Sequence, residues 1–205
     1  AIAHVPSLKS VEASAVFARE LPRLQPQEQG LLLEALAIRG DAGALAAATE
    51  SLQATNGTVR IAAVVALGRL GDAATVPSLA EALSAAQDAP ERGAIEQSFV
   101  QLRGGPETDR ALIARLDQET QAFKGVLIAA LARRNSREAV PALVAQATRG
   151  DSTVAKAAFQ GLGRMAGPED APSLLLALTQ LRNEDVRGAA EDATGQALGR
   201  VPDVA

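Results

Sequence analysis

The chain has 205 residues, a formal charge of −4 and 47 % hydrophobic residues, but only 2 % aromatics. The apolar content is therefore mostly Ala, Leu and Val, which favours helices over a β-sandwich rich in aromatic and β-branched residues. The interspersed charges exclude a general polyanion binder, and the absence of Cys excludes disulfides, thiolate nucleophiles and Cys-ligated metals.

The first segment, Ala1-Ile2-Ala3-His4-Val5-Pro6, lacks both an initiator Met and the basic and apolar regions of a signal peptide. The expectation is a processed product or a piece of something longer. No run approaches about 18 uncharged apolar residues, so no membrane-inserted span is expected and the chain reads as soluble, with its compartment unknown. His4, the only histidine, falls in this terminal stretch and lacks the rigid neighbours a base or metal ligand needs. Residues 1–24 are expected to hold a leading helix, with Val11, Ala15 and Ala18 at helical spacing.

From residue 25 the chain repeats itself. The clearest unit, VRIAAVVALGRLGDAATVPSLAEAL, spans Val59 to Leu83, and related copies occupy residues 123–147 and 154–178. Leu67, Leu131 and Leu162 correspond in these copies, as do Arg69, Arg133 and Arg164, Pro77, Pro141 and Pro172, and Leu79, Leu143 and Leu174. Weaker copies lie at residues 28–52, with Leu36 at the anchor, and 92–116, with Val100 at the anchor and Leu112 matching Leu79. The anchors step by 31, 33, 31 and 31 residues. Each unit reads as two helices. The first carries Val59, Ala62, Ala63, Ala66, Leu67 and Leu70 on one face. Gly71-Asp72 ends it, with Gly71 expected in the left-handed C-cap conformation. Val76-Pro77 opens the second helix, with Pro in its first turn. Repeats are expected near 25–56, 57–90, 91–120, 121–151 and 152–184, with a truncated capping repeat at 185–205. Bent or frayed geometry is expected at Gly104-Gly105-Pro106 and where Thr194 replaces the anchor Leu. A pair this short cannot bury its own apolar faces, so neighbouring pairs must stack.

These residues carry a resemblance. Val59-Arg60 opening a helix, Ala66-Leu67-Gly68-Arg69-Leu70-Gly71-Asp72 closing it and Val76-Pro77 opening its partner resemble the bacterial HEAT repeat, including the PBS-lyase HEAT-like form. The resemblance covers roughly residues 25–200 and implies an all-α fold, an α-α superhelix or HEAT-repeat solenoid of about five to six helix pairs. It implies that the V-R-opened helices line a concave binding side. On that side Gln27, Glu34, Ile61, Val65, Arg69, Ser98, Arg133, Lys156, Gln160, Arg164 and Asp192 fall outside the apolar stripe, as a partner-binding surface. Arg69, Arg133 and Arg164 read in two ways. They complement the helix dipole, with Asp72 in reach of Arg69, or they form a ladder of cations for a carboxylate-rich partner. Phe17, Phe99, Phe123 and Phe159 are expected in the core.

The functional expectation is a non-catalytic protein-protein interaction or scaffold module, with no catalytic residue, cofactor or metal site. Its partner would be another protein or another domain of the same polypeptide. HEAT-like deoxyhypusine hydroxylase holds iron through His-Glu pairs, and no repeat here has a His. HEAT-like DNA glycosylases need a basic, aromatic cleft, and nucleic acid is not an expected partner. The second reading is a phycobilin-lyase-like or chaperone-like helper acting on a cofactor-bearing protein.

Overall fold

Twelve α-helices and no strand form among the described residues, and their boundaries follow from capping chemistry. A computed structural model describes residues 12–40, 42–181 and 183–199. His4, Val11, Asp41 and the start of the expected leading helix lie outside them. The helices are α1 (Glu12–Glu20), α2 (Pro26–Arg39), α3 (Leu45–Ser51), α4 (Gly57–Leu70), α5 (Val76–Ala85), α6 (Ala89–Gln101), α7 (Gly105–Leu116), α8 (Gln121–Arg133), α9 (Val140–Arg149), α10 (Ser152–Met165), α11 (Ala171–Gln180) and α12 (Glu184–Leu198).

Polar side chains start the helices. Asn56 accepts from the Thr58 and Val59 amides, Asp88 from Glu91 N–H, Asp151 from Val154 N–H and Asn183 from Asp185 N–H. Each satisfies backbone donors that the first turn leaves open. Prolines 77, 141 and 172 sit in the first turns of α5, α9 and α11, where the missing N–H costs nothing.

The C-terminal turns differ from expectation at Gly71. Gly40 takes the left-handed conformation, with φ 81°, but Gly71 is extended, with φ −79°. Glycine is needed there for space: a Cβ would lie 2.3 Å from Thr75 Oγ1 and 2.7 Å from the Leu67 carbonyl oxygen. Asp72 does not serve Arg69; its carboxylate accepts from Ala74 N–H and caps the turn at residues 73–75.

The chain divides into two compact units, residues 1–108 and 109–205, and the division falls inside α7. In the first unit α4 packs between α2 and α6, with α3 against α4 and α5 against α6. In the second unit α10 packs between α8 and α12, with α9 against α10 and α11, and α11 against α12. Anchor residues Leu36, Leu67, Leu131 and Leu162 are buried, as are Leu79, Leu112, Leu143 and Leu174 on the second helices. Phe99, Phe123 and Phe159 are core residues, whereas Phe17 is only half-buried.

One anchor shifts. Phe99 is fully buried and Val100 only half-buried, so Phe99 takes the place of Leu67 in the third copy. The expected frayed end at Thr194 does not form. Thr194 is buried, its hydroxyl donates to the Ala190 carbonyl (2.8 Å), and α12 runs unbroken to Leu198. The back-bond to the preceding turn lets a hydroxyl fill a leucine position.

Candidate functional surface

The shifted anchor changes which residues face outward on α6. Counting from Phe99, Ser98 falls on the same inner position as Ala66, Ala130 and Gly161. Ser98 is buried, and its single hydroxyl proton is shared between the Val64 carbonyl (2.9 Å) and the Ala94 carbonyl (2.9 Å). It therefore leaves the expected partner-binding surface, and half-buried Gln97 takes its place. The sequence reading slipped because Val100 and Phe99 are adjacent apolar residues, and period alone does not choose between them.

The same correction places Glu91 at the buried position that Val59, Phe123, Val154 and Val186 fill in other copies. A carboxylate in an apolar slot requires a counter-charge. Arg60, on the preceding repeat, supplies it: Nε donates to Oε1 (2.6 Å) and Nη2 to Oε2 (2.9 Å). Arg60 also donates to the Ala54 and Thr55 carbonyls, and Glu91 accepts from Gln87 N–H. The Arg60 hydrogen bonds hold the Glu91 carboxyl below its ordinary pKa, against the opposing effect of burial. Arg134 is a parallel case. It stands where Leu70 and Met165 stand in other copies, and its Nε donates to Asp109 (2.5 Å). Arg137 likewise binds Glu169 and, at 2.9 Å, Asp170 on the next repeat.

A hollow of about 570 Å³ opens above the Arg60–Glu91 pair, walled by Leu52, Gln53, Ser78, Glu81 and Ala85. Its lining includes the C-terminal end of α3, a helix of 7 residues where α5 has 10. Both charges at its floor are already partnered within the protein.

The remaining expected surface residues group by unit. In residues 1–108, Gln27, Glu34 and Arg69 are exposed, and Ile61 and Val65 are half-buried. Leu31 and Ile38 on α2 are 51 % and 58 % exposed and were missed. Their signal was the run Leu31-Leu32-Leu33, since three successive leucines on a helix cannot all face one core.

In residues 109–205, Arg133, Lys156, Gln160, Arg164 and Asp192 are all exposed. They lie on α8, α10 and α12, the first helices of their repeats. One row, two positions before the anchor, is Ala129, Gln160 and Asp192; a second, two positions after it, is Arg133, Arg164 and Gln196. Gln160 and Arg164 form a ridge between two hollows. One, about 120 Å³, is completed by Ala129, Ala132, Arg133, Ala157 and Gly161. The other, about 450 Å³, is completed by Phe159, Gly163, Asp192 and Gln196 among others. Gly163 allows that shape: a Cβ there would lie 2.7 Å from Gln196 Oε1. Among the described residues no three His, Cys, Asp or Glu side chains group to hold a metal ion, and no helix is long and apolar enough to cross a membrane.

Helix pairs recurring at a fixed period, with inner glycines admitting the next helix, define a helical-repeat protein. The family model for HEAT repeats matches residues 21–99 and 110–195, and the chain belongs to that family. The crystal structure of an engineered protein is similar, with a TM-score of 0.50, 18 % identity, and coverage of 91 % of this chain and 96 % of that one. Human deoxyhypusine hydroxylase in complex with glycerol gives a TM-score of 0.46 at 20 % identity, covering 96 % and 88 %. A designed armadillo repeat protein gives 0.44 at 18 % identity, covering 89 % and 99 %. At these identities the likeness concerns the fold. Among curated proteins no relative matches the chain.

Proposed function

We propose that this chain is a non-catalytic protein-docking module, and that a partner protein, or another domain of the same polypeptide, binds across the outer face of α8, α10 and α12. The observation that carries this reading is the pair of exposed, mostly polar rows that meet at the Gln160–Arg164 ridge, with a hollow on each side. Stacked helices offer equivalent side chains at a fixed spacing, which suits recognition of an extended partner. HEAT repeats commonly serve such a role, and family membership supports the reading.

A photo-crosslinking residue at Gln160 tests it. In extract from the native source it is expected to capture a discrete partner, while the same residue at exposed Thr148 on α9 does not. Equal labelling from both positions, or none from Gln160, overturns the assignment of this face. Free bilin provides a contrast: the docking reading expects no saturable spectral shift, and such a shift would favour the cofactor-helper reading instead.

A further inference from the structure

The partner's chemistry is legible in the charge of the same face. Helices α8 and α10 carry Lys124, Arg133, Lys156 and Arg164 and not one Asp or Glu, in a chain whose net charge is −4. Arg133 and Arg164 border the same hollow. Lys156 is exposed on the Gln160–Arg164 side of α10. The adjoining helix α12 reverses the sign, with Glu184, Asp185, Glu191 and Asp192 against Arg187 alone.

A second observation concerns space. Six positions before the anchor, Lys156 on α10 is matched by Gly125 on α8 and Gly188 on α12. Neither glycine has a positive φ, and a Cβ on either would meet nothing within 4 Å. Glycine inside a helix is destabilising relative to alanine, so packing does not account for these two. They leave clear ground on both sides of the Lys156 side chain, where another chain's backbone can approach.

Resting on the docking reading above, we propose that the α8–α10 face binds an acidic peptide segment, its carboxylates gripped by Arg133, Lys156 and Arg164 and its backbone lying over Gly125. Guanidinium groups suit this role because their fork of donors matches a carboxylate. A long polyanion such as nucleic acid fits less well. A strand that continues beyond α10 meets the acids of α12, and α8 and α10 expose no aromatic side chain on which bases could stack, since Phe123 and Phe159 are buried.

The probe is a fluorescein-labelled octaglutamate peptide, read by anisotropy with the full chain at low salt. Saturable binding is expected, weakening as NaCl screens the charges. Arg133→Glu/Arg164→Glu is expected to weaken it by roughly a hundredfold, about tenfold for each reversed cation. Arg92→Glu/Arg149→Glu, an equal charge change at exposed positions on α6 and α9, is expected to leave it within about twofold. Gly125→Leu keeps the charge and is expected to weaken binding by covering the backbone approach. Circular dichroism establishes that each variant is folded.

Absence of binding overturns the proposal, as does equal loss in the Arg92/Arg149 variant. Tighter binding of a labelled oligo-dT of equal charge would replace the acidic peptide with nucleic acid. If octaglutamate fails while the Gln160 crosslink to a protein persists, the docking face stands and only the partner's acidity falls. If the crosslink fails as well, the docking reading falls with it.

Discussion

Glu91 occupies a position that its counterparts fill with valine or phenylalanine, and its environment makes that tolerable. Two Arg60 hydrogen bonds and the Gln87 amide surround the carboxylate. Its pKa in the folded chain lies below the ordinary value of 4.5, chiefly through the Arg60 hydrogen bonds. The folded state therefore binds this proton less tightly than the unfolded chain does. The resulting stability is present above about pH 4.5 and is lost as pH falls through the lowered folded value. Melting temperature measured against pH is expected to decline on that acid side, and Glu91→Gln is expected to flatten the decline. An unchanged acid limb in Glu91→Gln would show that other carboxylates dominate. Neither partner signals the pair in the sequence: Arg60 looks like a solvated residue of the V-R opening, and Glu91 becomes visible as a buried charge only after the anchor moves to Phe99.

At the scale of the helix, glycine has two opposite uses, and one substitution type separates them. A Cβ at Gly68 would lie 2.8 Å from Ser98 Cα, a backbone atom of the next repeat. Gly68→Ala must push α4 and α6 apart, and is expected to cost about 1–3 kcal/mol. Gly125→Ala adds a methyl group into open space, and is expected to stabilise by about 0.5–1 kcal/mol through helix propensity. Urea melts of the two variants should move in opposite directions. A destabilised Gly125→Ala would mean that the glycine serves the fold and would remove one support for the docking face. The helices themselves were legible from period and from Pro77, Pro141 and Pro172, which mark second helices; the N-caps Asn56, Asp88, Asp151 and Asn183 became evident only in the folded chain. The third copy was misread by one residue because Phe99 and Val100 are both apolar.

Over the whole chain, each compact unit is organised around one central helix, α4 in residues 1–108 and α10 in residues 109–205. Helix α10 contacts α8, α9 and α12, and Val154, Ala155, Ala158, Phe159 and Leu162 are all buried. Its backbone amides are expected to exchange with deuterium more slowly than those of α8, α11 or α12, because opening α10 disrupts three interfaces together. Equal protection across these helices would argue against that central role. At α12 the pattern changes. Arg187 and Glu191 stand where α10 presents buried Ala155 and Phe159 to its follower, so α12 offers charge rather than an apolar seat on that side. Leu31 and Ile38 on α2, and Leu175 and Leu176 on α11, are large apolar residues left exposed at other edges.

The amino-acid order alone determined that this is an all-helical repeat, where its prolines open the second helices, and that Arg69, Arg133 and Arg164 recur outside the apolar stripe. Those properties depend on residues a few positions apart, so period and the Gly-Asp and Val-Pro turns suffice to read them. Tertiary structure decided which of two adjacent apolar residues enters the core, that Glu91 is buried against Arg60 and Ser98 against Val64, and that Gln160 and Arg164 divide two hollows. Each depends on how closely a helix approaches its neighbour about thirty residues away, and that distance is set by packing of small side chains across the interface rather than by any local signal.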